Sequence, residues 1–283
     1  PYVVKADGLA GGKGVVVTDE WAPAVTALRE RLGDGRAVVI EEFLDGEEAS
    51  LIAFTDGRTV VPCEPAQDYK RVYDGDAGPN TGGMGSYSPV PACPPELVDE
   101  IVATILQPMV DATAARGAPF AGALYAGLAL TDEGPKVIEF NARFGDPETQ
   151  ALVPRLGSDF GEVAAATAAG ELAGTKLRWS PRACVTVVLA SGGYPGPHDT
   201  GYRIHGLDKA SSLEDVLVFH AGTRAEGDGV VTAGGRVLAI SALGDGFASA
   251  RERAYDAASL VEFENVHFRS DIASRAVERS RSQ

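Results

Sequence analysis

Between Val137 and Glu148 the chain reads Val-Ile-Glu-Phe-Asn-Ala-Arg-Phe-Gly-Asp-Pro-Glu, residue types and spacings that suit a divalent cation and phosphate oxygens. In a strand, alternate side chains leave on opposite faces, so Ile138 and Phe140 can enter a core while Glu139 and Asn141 point together the other way. A carboxylate and an amide carbonyl about 7 Å apart along the backbone can converge on one Mg²⁺ or Mn²⁺. Mg²⁺ in particular takes few protein ligands and completes its octahedron with water and nucleotide phosphates. Arg143 would then stand beside anionic oxygens. The competing account is a half-exposed edge strand followed by a charged turn.

A glycine-rich stretch near the start, Gly8-Leu9-Ala10-Gly11-Gly12-Lys13-Gly14, is flanked by Val3-Val4-Lys5 and Val15-Val16-Val17. It fails as a P-loop. The spacing from Gly8 to Gly12-Lys13 is one residue short, Gly14 replaces the Ser or Thr that would hold Mg²⁺, and a valine run follows where a helix should. A strand, loop, strand hairpin remains, either a mobile surface turn or a flap. In a flap, backbone N–H groups of Gly11, Gly12 and Gly14 approach phosphate oxygens without Cβ interference, and Lys5 and Lys13 supply positive charge, as in flaps that close over ATP. Further on, Glu41-Glu42-Phe43-Leu44-Asp45-Gly46-Glu47-Glu48 follows a strand and offers what an adenosine pocket needs. Phe43 and Leu44 provide backbone donors and acceptors with apolar walls, Glu41 a carboxylate, and Glu48 an acceptor for both ribose hydroxyls. A negatively charged hairpin fits the same residues.

These groups need elements to position them. The pattern predicts strands near 2–5 and 14–18, then a helix with Trp21, Val25, Leu28 and Leu32 as its apolar stripe, ended by Gly33 and Gly35. Strands follow at 37–40, 49–55 and 59–63. After Pro94-Pro95 a helix carries Val98, Val102, Ile105 and Met109 on one side, with a kink or break at Pro108. Residues 120–130 and 136–142 read as paired strands, 149–170 as mostly helical, and 170–182 as a connection. The tail reads as strands at 184–190, 216–220 and 236–242, a hairpin at Gly234-Gly235, and a helix over 247–261. The domain division expected is 1–48, 49–182 and 183–283.

Composition sets the bounds. The 283 residues are 45% apolar, enough for two or three compact units, and carry a net charge of −15 with a pI near 4.7. Neither a nucleic-acid backbone nor an anionic membrane is attracted to such a surface. No apolar run approaches the roughly 20 residues of a membrane-spanning helix and no secretory signal is visible, so the expected location is the cytoplasm. Cys63, Cys93 and Cys184 lack histidines at metal spacing and read as reduced structural residues, and no zinc site is expected. The four histidines, His198, His205, His220 and His267, all lie in the tail and are assigned no role.

Taken together, the residues resemble the ATP-grasp superfamily and, within it, the phosphoribosylamine–glycine ligase family, also called glycinamide ribonucleotide synthetases. The likeness covers essentially the whole chain. It rests on Lys5 to Gly14, Glu41 to Ser50, Gln67-Asp68-Tyr69-Lys70-Arg71, Gly78 to Gly85 and above all Arg143-Phe144-Gly145-Asp146-Pro147-Glu148-Thr149-Gln150. In the tail it rests on Gly192 to Gly196, Phe219 to Thr223 and Gly234 to Leu238. Gly11 stands where alanine is expected, and the family's N-terminal domain precedes the point where this chain opens at Pro1.

The resemblance implies an α+β ATP-grasp fold, two lobes around a nucleotide cleft, followed by a small β-rich C-terminal domain. It implies ATP and Mg²⁺ (or Mn²⁺) as cofactors, glycine and 5-phosphoribosylamine as small-molecule partners, and a monomer. Glycine's carboxylate would attack the ATP γ-phosphate, and the amine of 5-phosphoribosylamine would displace phosphate to give glycinamide ribonucleotide. Glu139 and Asn141 would hold the metal, and Arg143 and Lys70 would act on the reacting phosphates. Asp68 and Arg71 match the family's segment near the substrates. Asn80, Thr81 and Gly82 would cradle glycine's carboxylate or simply belong to a surface loop. Asp146, Pro147 and Glu148 would meet an ammonium group or sugar hydroxyls, or cap the helix near Thr149. In-line phosphoryl transfer needs positioning and charge more than acid-base chemistry, so Lys5, Lys13, Arg143 and a metal suffice. Two alternatives stay open: a Mg·ATP-binding module without ligation, and an ATP-grasp ligase for another carboxylate and amine.

Overall fold

The computed structural model describes residues 1–8, 14–33, 35 and 37–282. Strands β1 (Tyr2–Ala6), β2 (Val15–Thr18) and β3 (Val38–Glu41) form an antiparallel sheet in the order β2-β1-β3, with helix α1 (Trp21–Gly33) on one face. Val4, with Val16 and Val38, packs against Ala24, Ala27 and Leu28. The expected stripe on α1 is therefore corrected: Trp21 and Leu32 are 68% and 53% exposed. Alanines three residues apart let the helix lie close on the sheet, which pushes the bulkier residues to its flanks; Trp21 settles edge-on against Tyr2, centroids 5.6 Å apart.

The second layer is built on β4 (Glu47–Asp56), β5 (Val60–Pro62), β10 (Ala121–Thr131) and β11 (Gly134–Asn141), in the order β11-β10-β4-β5. Between β5 and β10 the chain forms β6 (Gln67–Asp68), the short hairpin β7 (Arg71–Tyr73) and β8 (Ala77–Asn80), and β9 (Gly85–Ser88). Two helices then follow, α2 (Pro95–Ile101) and α3 (Gln107–Ala115), joined without a break by a π-helical turn over Val102–Leu106. Pro108 has no N–H to give to the preceding turn, and the wider turn before it absorbs the mismatch. Its central strands β4 and β10 are buried on both faces. Leu51, Ala53, Leu124, Ala126 and Leu128 enter the main core on one side, and Ile52, Phe54, Ala123 and Tyr125 a second core on the other.

After β11 come α4 (Glu148–Leu152), a single 3₁₀ turn at Val153–Arg155 and α5 (Phe160–Ala169). The expected helical stretch is thus interrupted. Pro154 sits in the turn, and Asp159 starts a new helix by accepting the Glu162 amide at 3.0 Å. Gly170, at φ +78°, closes it.

The remaining residues form β12 (Ala183–Ser191), α6 (Leu207–Ser211), β13 (Val216–His220), β14 (Thr223–Glu226), β15 (Gly229–Thr232), β16 (Arg236–Gly244), α7 (Phe247–Ser259), β17 (Val266–His267) and α8 (Ser274–Ser282). Helix α7 buries Phe247, Ala250, Ala254, Ala257 and Ala258 at helical spacing. The hairpin expected at Gly234-Gly235 is not formed. β15 pairs with β14, turning at Gly227-Asp228, while β16 pairs with β12 and β13. The sheet β13-β16-β12-β9-β6 runs across position 182, joining strands from both sides of it.

Arg155 holds this junction. It is 2% exposed, donates to the carbonyls of Arg182 (2.6 Å) and Ser180 (3.0 Å) and to Ser88 Oγ (2.6 Å), and pairs with Glu64 at 2.6 Å. Removing one member of such a network leaves buried acceptors unpaired. Arg155→Met is expected to lower the unfolding free energy by about 3 kcal/mol, read from the urea midpoint; a change within about 0.5 kcal/mol would contradict this role.

Candidate functional site

Strand register assembles the site. β10 lies between β4 and β11, so Ser50, Gly127 and Glu139 form one cross-strand row and Ile52, Tyr125 and Asn141 the next, all on one face. Gly127 opens the first row. A Cβ there would stand 3.4 Å from Glu139 Cγ, in contact with it. Above this face lies a cleft of about 280 Å³ bounded on its far side by the β2-β1-β3 sheet. Val3, Val15 and Val17 from that sheet and Ile138 from β11 give it apolar walls, and Glu41 to Leu44 lie at the hinge between the layers.

The cations of the cleft are already engaged by protein oxygens. Lys5 pairs with Glu41 and donates to the Ile138 carbonyl at 2.8 Å, tying the small sheet to β11. Lys70 pairs with Glu48 and stands 4.0 Å from Asp68. Burial works against the Lys70 ammonium, but Asp68, Glu48 and Glu139 outweigh it and hold its pKa above the ordinary lysine value. Asp68 is 8% exposed. Its burial, reinforced by the charges of Glu148 and Glu48 and opposed by Lys70, pushes its pKa up to about 7. Glu148 is 4% exposed, with Oε1 accepting from Tyr125 Oη (2.8 Å) and Ser50 Oγ (3.2 Å). Burial raises the Tyr125 phenol well above its usual range, with help from Glu148.

Asn141 donates its amide to Glu139 Oε1 at 3.2 Å, so the two side chains stand side by side. Among the described residues no three or more His, Cys, Asp and Glu gather as a metal cluster. One carboxylate and one amide oxygen at a cleft mouth fit a hard cation whose other ligands are phosphate and water, and do not fit zinc.

Most of the residues singled out in the sequence line this one cleft: Lys5, Glu41, Phe43, Leu44, Glu48, Asp68, Lys70, Asn80, Thr81, Gly82, Glu139, Asn141, Arg143, Asp146 and Glu148. Others do not. Gly14 lies beside it, its carbonyl accepting from the Ala6 amide at 2.9 Å. Arg71 turns to the Gly78 carbonyl at 2.7 Å. Pro147 is buried, its carbonyl accepting from Ser86 Oγ at 2.7 Å. Gly11, Gly12 and Lys13 lie outside the described residues. Neither Asp146 nor Glu148 caps α4 with its side chain. Ser50, Tyr125 and Arg236 were not singled out. The first two are legible only from strand register, and Arg236 stands 90 positions from the Asp146 it touches.

A small three-stranded sheet with its helix, set over a larger antiparallel sheet whose edge strand carries Glu-x-Asn into the intervening cleft, defines an ATP-grasp protein. Residues 1–149 match the family described as "Phosphoribosylglycinamide synthetase, ATP-grasp (A) domain", and residues 184–275 the corresponding C domain. The chain is 55% identical over 279 residues to a phosphoribosylamine–glycine ligase of Streptomyces coelicolor, covering 98% of this chain and 66% of that one. It superposes on the crystal structure of phosphoribosylamine–glycine ligase from Thermotoga maritima with a TM-score of 0.83 at 37% identity, over 96% of this chain and 68% of that one. The biotin carboxylase domain of a Hydrogenobacter thermophilus 2-oxoglutarate carboxylase, a complex with MgADP, shares the fold (TM-score 0.65, 15% identity, 94% of this chain and 58% of that one). The chain belongs to the phosphoribosylglycinamide synthetase family. It spans about two thirds of the length of the relatives it matches.

Asp68 gives a pH test. A carboxyl with a raised folded pKa contributes stability that is fully present below its ordinary 3.8 and is lost as pH rises through about 7. Asp68→Asn removes that loss, so its urea midpoint should gain on the wild type between about pH 4 and about pH 8. A difference that stays constant across this range would contradict the burial of the Asp68 charge.

Proposed function

We propose that the chain carries the ATP-dependent joining of glycine to 5-phosphoribosylamine, giving glycinamide ribonucleotide, ADP and phosphate by way of glycyl phosphate. The observation that carries this reading is the gathering of hinge, metal strand and substrate loop into one cleft, in a chain of the phosphoribosylglycinamide synthetase family. The valine walls and the Glu41–Leu44 hinge receive the adenosine, with Glu48 near the ribose. Glu139 and Asn141 would hold Mg²⁺ or Mn²⁺, which when bound offsets phosphate charge.

Lys5, Lys70 and Arg143 surround the phosphate end. A carboxylate oxygen of glycine attacks the γ-phosphorus as the bond to ADP breaks; the amine nitrogen then attacks the acyl carbon, phosphate leaves, and the nitrogen's proton passes to phosphate or solvent. Asn80, Thr81 and Gly82 face this end with Asp68 and Glu148, which suit the ammonium group of an amino acid. No thiol, hydroxyl or imidazole nucleophile is needed, which accords with the burial of all three cysteines. The proposed setting is a cytoplasmic monomer acting on small molecules. Among the described residues no helix is long and apolar enough to cross a membrane.

A second reading, to which the valine walls and the Glu41–Leu44 segment are equally suited, is Mg·ATP binding without ligation. Phosphate release from ATP, measured with and without glycine and 5-phosphoribosylamine, decides between them. The expected result is release that needs both substrates and falls by about 10²-fold or more in Glu139→Ala. Binding of Mg·ATP without release would establish the second reading, and release indifferent to both substrates would overturn the choice of substrates.

A further inference from the structure

Arg236 opens β16, yet its side chain leaves that strand to join two separate segments of the cleft. Its Nη1 donates to the carbonyls of Gly82 (2.8 Å) and Asp146 (2.8 Å), with a longer contact to Gly83 O (3.4 Å), and its Nη2 donates to Asp146 Oδ2 at 2.9 Å. Tyr194 completes the grip, its hydroxyl accepting the Gly82 amide at 3.0 Å. The two segments also meet directly: Gly83, at φ +112°, lies so close to Pro147 that any Cβ there would collide with the proline ring.

The energetics separate holding from stabilising. The Arg236 and Asp146 side chains are 21% and 48% exposed, and an ion pair so open to water contributes little to stability. Three carbonyls and a carboxylate around one planar fork instead fix a geometry, which a lysine ammonium cannot reproduce. The other end of the same loop has its own anchor. Arg269, its side chain fully buried, donates to Asp76 Oδ1 (2.9 Å) and the Arg71 carbonyl (3.0 Å), and the Ser270 amide donates to Asp74 (2.8 Å). Arg236 is therefore left to govern only the end that faces the cleft. The nucleotide end, at Lys5 and Glu41 to Leu44, makes no hydrogen bond with it.

We propose that Arg236 is a positioning residue that sets the gap between Asn80–Gly83 and Arg143–Glu148, and so fits the substrate end of the cleft to a small amino acid and its acyl phosphate. This rests on the ligase reading above. Arg236 is not among the residues that line the cleft; it acts through the two backbones it joins.

The test uses Arg236→Met and Arg236→Lys in the full chain. Expected for the methionine variant are a KM for glycine raised about tenfold or more, a dissociation constant for Mg·ATP within about twofold of the wild type, and a thermal midpoint that barely moves. The lysine variant should recover only a small part of the loss. Amide hydrogen exchange should quicken in both variants at 80–84 and 144–149, and stay unchanged at 2–6 and 38–44. An unchanged KM for glycine, or a loss of ATP affinity equal to the loss for glycine, would overturn the proposal. If the wild-type chain releases no phosphate, the ligase reading fails separately, and unchanged exchange at 80–84 and 144–149 would still overturn the role of Arg236.

Discussion

The double pairing of β10, with β4 on one side and β11 on the other, is the constraint on which the site depends. A slip of one residue on either side would turn Glu139 and Asn141 into the core and bring Phe140 into the cleft. The register is fixed by what lies on the opposite face. Leu51, Ala53, Leu124, Ala126 and Leu128 hold β4 and β10 in that core at no more than 5% exposure, and Val137 and Phe140 pack against it from β11, so a slip would pull one set or the other out of it. β11 is thus held in place by apolar residues on the face away from the cleft. A bulge separates the Gly127–Glu139 pair from the Leu128–Val137 pair, and the ladder resumes beyond it as far as Thr131–Gly134.

Charge inside the cleft is arranged against the grain of the chain as a whole. The net charge of −15 would repel a nucleotide, yet Lys5, Lys70 and Arg143 are all brought to one place. Without a ligand the two lysines are shared with Glu41 and Glu48, which keeps their charges from facing each other unscreened. A polyphosphate entering the cleft would compete with those carboxylates, and Glu41 ends β3 while Glu48 lies at the start of β4, so such binding would be coupled to the segment between those strands. Lys5 adds a second coupling through the Ile138 carbonyl, one residue from Glu139.

Much of this was legible in the sequence, for identifiable reasons. Alternation over 139–141 set Glu139 and Asn141 on the cleft face with Phe140 opposite, and the acidic turn after the Val38–Ile40 run set Glu41 to Leu44 at the cleft, both local signals; Ile138, expected in the core, lines the cleft instead, because the bulge opposite Gly127 and Leu128 takes it out of the alternation. The α1 stripe misled because in that helix small residues, not large ones, make the closest approach. The Gly234-Gly235 turn misled because a diglycine can mark a close crossing of backbones as readily as a hairpin: a Cβ on Gly222 would lie 2.7 Å from the Gly234 Cα. Ser50 and Tyr125 were invisible because an isolated serine or tyrosine in a strand announces nothing until its cross-strand partner is known. Arg236 was invisible for a stronger reason. Its meaning lies in carbonyls contributed by residues 82 and 146, and backbone acceptors leave no trace in side-chain identity.

The sheet that crosses position 182 also bears on how this chain can be divided. β9 is buried at all four residues and lies between β6 and β12, so its N–H and C=O groups depend on partners from both family segments. Cutting the chain at 182 would strip β9 of β12 and bare a fresh sheet edge, the kind of surface that recruits strands from other molecules. The two matched segments therefore share one sheet, and neither keeps all its strand partners without the other.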